Sequence, residues 1–247
     1  MVCRSALVLL ILLLVACAGP QDRLAPAEIT ADRAPVTRDT TIALLGGTGM
    51  VGGYLLREAL AAGYPLRVLS RSPGRLDYLG DRVTVVQGDA REPAVIERLL
   101  RGADIVVTAI GPTGSEQMLS TAVSGNVVAA MKSLGIQRYI VVSGGAVVVP
   151  GDQRSFTGWW VRQLARLRYP SILRDKQAEY DVLAASGIDW TLVRCPLIAA
   201  EDYQREPRIS LTTPTDFHLR AGELARFILE EVEVPQYRRE GPFLGSR

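Results

Sequence analysis

From Thr41 onward, apolar positions alternate between two rhythms. Short, nearly continuous apolar runs recur as "TIALLG", "PLRVLS", "RVTVVQGD", "DIVVTAIG", "RYIVVSGG" and "DWTLVRC". The stretches between them carry apolar residues at helical spacing. "MVGGYLLREALAAG" sets Leu55, Leu56, Ala59 and Leu60 on one face and stops at Gly63, and "PAVIERLLRGA" opens on Pro93 in its first turn. A further helix is expected from about Ser115 to Leu134, and "DKQAEYDVLAASG" ends at Gly187. Unbroken apolar strands are buried on both faces, so their alternation with helices predicts a parallel sheet covered on each side. Right-handed crossovers then give an α/β fold, a doubly wound Rossmann-type single domain over 41–247 with a small C-terminal substrate-side portion.

Ahead of that domain the pattern is of another kind. In "LVLLILLLVACAGP" the apolar stretch from Ala6 to Ala16 is shorter than the roughly 20 residues a bilayer needs. Arg4 precedes it and small residues follow, which is the layout of a secretory signal over 1–16. Leu14-Val15-Ala16-Cys17 resembles the bacterial lipobox, in which Cys17 would carry the lipid after cleavage. A plain signal peptide, or a misassigned start, is the alternative. Residues 17–40 mix Pro, Ala and charges without periodicity and read as a tether, with a reach of about 25 Å.

Composition narrows the chemistry. The 247 residues carry a formal net charge of +2, which forces no nucleic-acid partner. Of the three cysteines, if Cys3 leaves with the signal and Cys17 is lipidated, Cys195 has no partner. There is neither a disulfide framework nor a Cys/His metal cluster, and Cys195 reads as a buried, unreactive thiol. The single histidine, His218, lies in "DFHLRAGELARFIL", the approach to a helix, and reads as structural. Lysine occurs only at Lys132 and Lys176, which singles each of them out.

The candidate chemistry begins at "LLGGTGMVGGYLL". Gly47-Thr48-Gly49-Met50-Val51-Gly52 fits G-x-G-x-x-G, and Gly46, Gly49 and Gly52 give G-x-x-G-x-x-G. It follows the first strand and opens a helix, the context in which backbone N–H groups hold a pyrophosphate. An NAD site would place a carboxylate at the end of the second strand; this chain has Ser70-Arg71-Ser72, with Arg75 a turn later. A guanidinium there pairs with a 2′-phosphate, so NADP(H) is favoured over NAD(H), with a solvated loop charge as the alternative for Arg71. Asp89 after the third strand either meets the adenine amino group or caps the next helix. Ala109, Ile110 and Gly111 after the fourth strand, and Ser143, Gly144 and Gly145 after the fifth, point into the same crevice.

These residues resemble an atypical short-chain dehydrogenase/reductase of the NmrA-like, NAD(P)H-binding kind. The carriers are "GGTGMVGGYLL", "LSRSP", "VQGDARE", "VVSGG" and "ILRDKQAEYDVLAASGIDWTLVRCPLI", and the likeness runs from about Thr41 to Phe243. The resemblance implies a ribose-binding Lys176 and a strand-five Ser143, the candidate catalytic pair. The family's Tyr-x-x-x-Lys signature is broken: Ile172 stands where the Tyr belongs, and Tyr169 and Tyr180 are out of register. The resemblance thus implies that the ribose-binding half is retained while the usual proton donor is missing. A planar acceptor such as a flavin or quinone tolerates that loss, because its proton can come from solvent.

The substrate side falls to "PGDQRSFTGWWVRQLARLRYP" and "CPLIAAEDYQREPRISLTTPTDF". Trp159 and Trp160 with Arg162, Arg166 and Arg168 read as a lid, a lipid contact or an ordinary amphipathic helix. Two functions remain in view: an NADP(H)-dependent oxidoreductase acting on a small planar acceptor, or a non-catalytic dinucleotide-binding redox sensor or docking protein. A sugar-nucleotide epimerase is disfavoured by the missing Tyr. The expected location is extracytoplasmic, with the membrane touched only through the lipid on Cys17, or cytoplasmic if the start is misassigned. Export would set an NADPH site apart from the compartment that regenerates NADPH.

Overall fold

The structure is a computed structural model, which describes residues 38–111, 118–153, 162–163 and 166–247. The signal and lipidation segment, the tether up to residue 37, the expected helix start near Ser115, and Trp159 and Trp160 lie outside the described residues.

In chain order the elements are β1 (Ile42–Leu45), α1 (Met50–Ala61), β2 (Leu66–Ser70), a 3-10 segment (Pro73–Arg82), β3 (Val83–Gln87), α2 (Pro93–Leu100), β4 (Ile105–Thr108) and α3 (Leu119–Leu134). Then follow β5 (Arg138–Gly144), α4 (Pro170–Ser186), β6 (Asp189–Cys195), β7 (Leu197–Ala199), β8 (Arg208–Ser210), β9 (His218–Arg220), α5 (Ala221–Glu233) and β10 (Phe243–Gly245). Pro170 is the first residue of α4; its fixed φ starts this helix, so α4 begins ahead of the expected "DKQAEY" stretch.

The main sheet has the order β3-β2-β1-β4-β5-β6-β10-β8, parallel except for β8 against β10. The strand order reverses between β1 and β4, which makes that junction the topological switch point. Alternate residues feed two cores. Ile42, Leu44, Ile140 and Val193 pack with α1 and α5 on one face. Ala43, Leu45, Val141 and Leu192 pack with α2, α3 and α4 on the other. A fully buried β1 is what the run "IALL" requires, since neither of its faces can meet water.

β7, β8 and β9 were not anticipated. Each has only three residues, too few for a period to show; β7 and β9 form a small parallel pair and β8 borders β10. The chain enters at the amino edge of the sheet, opposite the switch-point crevice. There Arg38 Nε donates to Ala62 O at 3.0 Å, its guanidinium pairs with Glu233 at 2.7 Å, and it stacks over the Tyr64 ring. Tyr64 donates to Glu233; burial, with that carboxylate, pushes its phenol up to about 12.

Candidate dinucleotide site

The glycine turn is built by close backbone approach. Gly46 has φ +85°, a conformation an L side chain resists, and a Cβ on it would lie 2.7 Å from Ala109 O at the end of β4. Gly49 N–H donates to Gly46 O at 2.9 Å and closes the turn. A Cβ on Gly52 would lie 2.0 Å from that same oxygen, so α1 sits directly on the turn only because this position has no side chain. The N-cap of α1 is Gly49, with no side-chain hydrogen bond and no acidic residue in the first turn. Gly49 and Met50 are exposed, Thr48 and Val51 half-buried and Gly47 buried. The first-turn N–H groups therefore present the positive end of a helix without a side-chain anion of their own.

At the next strand ends, Gly88 N–H donates to Ser70 O at 3.2 Å and sets Asp89 beside Arg71. Ser72 N–H donates to Ser70 Oγ at 3.2 Å and Arg75 N–H to Ser72 O at 3.1 Å, so the turn carries Arg71 and Arg75 on its exposed side. The N-cap of α2 is Glu92, not Asp89. The Asp89 carboxylate instead accepts Arg91 N at 2.9 Å and Nε at 3.0 Å on one oxygen, and Arg91 Nη2 at 2.7 Å on the other. Hydrogen bonds from Arg91, with the charge of Arg71 adding to them, hold its carboxyl down at about 2.

The β4 and β5 ends complete the crevice. Ala109 and Ile110 are half-buried and Gly111 exposed. Ser143 is 5% exposed, and its Oγ is among the few buried polar atoms with no hydrogen-bond partner. Lys176 reaches the same strand end from α4: its Nζ donates to Val142 O at 3.4 Å and to Glu179 Oε2 at 2.9 Å. Ser124 Oγ donates to Glu179 Oε1 at 3.1 Å and also meets Tyr139 OH, which lies 2.9 Å from Thr108 Oγ1. Thus Lys176 heads a buried polar chain across α4, α3, β5 and β4; burial pushes the Tyr139 phenol up.

The neighbouring Asp175 accepts Ser120 N and Thr121 N, both at 2.9 Å, and so caps α3 from another helix. Burial pushes its carboxyl up, but these bonds outweigh that and hold it below the usual range. Among the tyrosines near the signature, Tyr169 is the N-cap of α4 under Arg168, and Tyr180 stacks edge-on against Trp190 at 5.8 Å. Neither is bonded to Lys176 or Ser143. Cys195 is buried, and burial pushes its thiol up, with Lys176 opposing more weakly.

Sequence reasoning missed a buried arginine that ties the end of β6 to the loops around it. Arg194 is fully buried at the end of β6, and its Nη1 meets both Asp152 oxygens at 2.7 and 2.8 Å. Its Nε donates to Gly241 O at 2.7 Å, its Nη2 to Leu211 O at 3.2 Å, and the guanidinium lies 3.5 Å over the Phe243 ring. The one available signal was a charge inside the apolar run "DWTLVRC". Glu179, three residues after Lys176 on one helix face, was likewise legible as an i,i+3 pair. Arg162 Nε donates to Ala146 O at 3.1 Å, next to this knot. His218 lies in β9, 3.6 Å from Glu201, just before α5, and fits the structural reading.

The glycine cradle that a Cβ would fill, the uncapped first turn of α1 and the orphaned Ser143 hydroxyl fit a dinucleotide. Among the described residues, no His/Cys/Asp/Glu group is arranged to hold a metal ion, and no helix is long and apolar enough to cross a membrane.

A reductase of Streptomyces griseus, (4-alkanoyl-5-oxo-2,5-dihydrofuran-3-yl)methyl phosphate reductase, is 31% identical over 62% of this chain and 46% of its own. The chain spans less than half the length of the first curated relatives it matches. Among solved structures, ChuY, an anaerobillin reductase from Escherichia coli O157:H7, superposes with a TM-score of 0.71 at 20% identity, over 84% of this chain and 97% of its own. A short-chain dehydrogenase/reductase of Veillonella parvula in complex with NADP gives 0.67 at 18% identity, over 84% and 94%. The family described as NAD(P)H-binding matches residues 46–235, beginning at the glycine turn. With most of its length inside that match and the doubly wound sheet that carries it, the chain belongs to the NAD(P)H-binding family.

Proposed function

We propose that this protein is an NADP(H)-dependent oxidoreductase that reduces a small planar acceptor of the flavin or quinone type. The observation that carries the reading is the pairing of an orphaned Ser143 hydroxyl with Lys176 at one strand end, where no tyrosine accompanies them. The turn from Gly46 to Gly52 would hold the pyrophosphate, Arg71 and Arg75 a 2′-phosphate, and Lys176 and Ser143 the nicotinamide ribose. Ala109 and Gly111 would border the same crevice. The bound cofactor supplies a hydride; this chain's residues bind and orient it and cover the β4 and β5 ends. A planar acceptor draws its proton from water, so the absent tyrosine costs it little. The reductase relatives support this chemistry.

A non-catalytic redox sensor is the second reading, favoured by one observation: Lys176 is already bonded to Glu179 rather than standing open to a substrate. An NADPH-oxidation screen over quinones and flavins separates the two. Turnover with at least one planar acceptor is expected. Tight NADPH binding without turnover of any acceptor would favour the sensor.

The location belongs to the same proposal: cleavage before Cys17 and lipidation of its thiol would hold the domain outside the cytoplasm. The N-terminal mass of the membrane-fraction protein is expected to fit a lipid-modified Cys17. An intact Met1 would overturn cleavage before Cys17 and the lipid anchor on its thiol.

A further inference from the structure

A carboxylate near a 2′-phosphate site is an obstacle, and Asp89 follows Gly88, which bonds Ser70 O just before Arg71, so that the Arg71 charge reaches it across the β2–β3 ends. The structure gives this carboxylate a partner in Arg91. Asp89, Ala90, Arg91 and Glu92 form a turn closed by Glu92 N–H to Asp89 O at 3.1 Å. Asn126 of α3 pins that turn by donating to Arg91 O at 2.9 Å and Ala90 O at 3.3 Å. On this fixed frame Arg91 grips Asp89 through one backbone and two side-chain hydrogen bonds. A lone surface ion pair does little, but a fork-to-carboxylate grip on a pinned backbone keeps its geometry.

We infer that Arg91 is a specificity-determining residue: by neutralising Asp89, it lets the Arg71 side of the crevice accept the 2′-phosphate of NADP(H). Without Arg91 the negative charge of Asp89 bears on the phosphate unmasked. NADPH loses by this and NADH does not, because the two differ only in that phosphate. Whatever Asp89 does for the adenine is common to both cofactors and cancels in their ratio. The inference rests on the NADP(H) reading.

The test measures dissociation constants for NADPH and NADH on the full chain by fluorescence titration. The proteins are the wild type, Arg91→Ala, Asp89→Asn, the double variant and Arg71→Ala. Arg91→Ala is expected to lower the NADPH-over-NADH preference about tenfold, the scale of one charge contact in a partly wetted crevice. Adding Asp89→Asn is expected to restore the preference to within about threefold, since no charge is left to mask. Equal weakening of both cofactors by Arg91→Ala would overturn the inference. So would a double variant as impaired as Arg91→Ala, which would mean that Arg91 touches the phosphate itself. A wild type without NADPH preference, unmoved by Arg71→Ala, would sink the NADP(H) reading instead. The Asp89-dependence of the Arg91 effect would still be read from the same ratios. Arg91 is half exposed, so these variants are expected to stay folded, which thermal melting checks.

Discussion

Gly52→Ala is expected to abolish measurable NADPH binding and to lower the melting temperature, although it adds one methyl group. The new Cβ would lie 2.0 Å from Gly46 O, 2.6 Å from Gly46 C and 2.8 Å from Gly47 Cα. All three are backbone atoms of the turn itself, so no side chain can swing aside. Either α1 backs away from β1 or the turn opens, and both displace the N–H groups that would hold the pyrophosphate. Overpacking of this kind costs about 1–3 kcal/mol, and rigid backbone puts this case at the upper end. For a domain of this size that is a fall of roughly 6–12 °C. Gly125→Ala is the control. Gly125 lies inside α3 with nothing within 4 Å of the added atom, so alanine there is expected to stabilise by about 0.5–1 kcal/mol. Thermal unfolding and NADPH fluorescence titration read both variants. Unchanged NADPH affinity in Gly52→Ala would mean that the turn is not the phosphate cradle.

The second large effect concerns Glu179. Its side chain is 1% exposed and lies 2.9 Å from Lys176, itself only 10% exposed, while Ser124 donates to its other oxygen. Glu179→Ala leaves a buried ammonium without its counter-ion, holding only the 3.4 Å bond to Val142 O, which is expected to cost about 3–5 kcal/mol in urea unfolding. Removing both charges should be far milder. Lys176→Met with Glu179→Leu is expected to recover most of that stability, because a well-packed apolar pair avoids the desolvation of two ions. The double variant should still bind NADPH poorly, since the donor proposed for the nicotinamide ribose is gone. Stability returning without affinity would separate the structural part of Lys176 from its ligand part. An unchanged unfolding midpoint in Glu179→Ala would show that the pair contributes nothing.

Much of this was legible in the chain itself. The run "IALL" has no polar position to offer water on either face, so a doubly covered strand followed from it directly, and the observed β1 is buried throughout. The glycine turn was legible for a similar reason, since its conformation and close contacts are demands on single residues and their spacing. Three-residue strands carry no such demand. β7, β8 and β9 exist because β10 and one another offer partners, and no local pattern announces that. The same holds for charge. Arg71, Asp89 and Lys176 could be named from their places after strands, but what each one touches could not.

The sequence by itself therefore determined the alternation of strands and helices, the glycine turn and the loss of the signature tyrosine. These depend on burial, backbone freedom and residue type at fixed spacing. Only the tertiary structure decided that Asp89 is held by Arg91, that Lys176 is tied to Glu179, and that Arg194 knots Asp152, Gly241 and Leu211 at the end of β6. Such partners lie on different turns, loops and elements, and a buried charge is satisfied by whichever group the packed chain brings within hydrogen-bond reach.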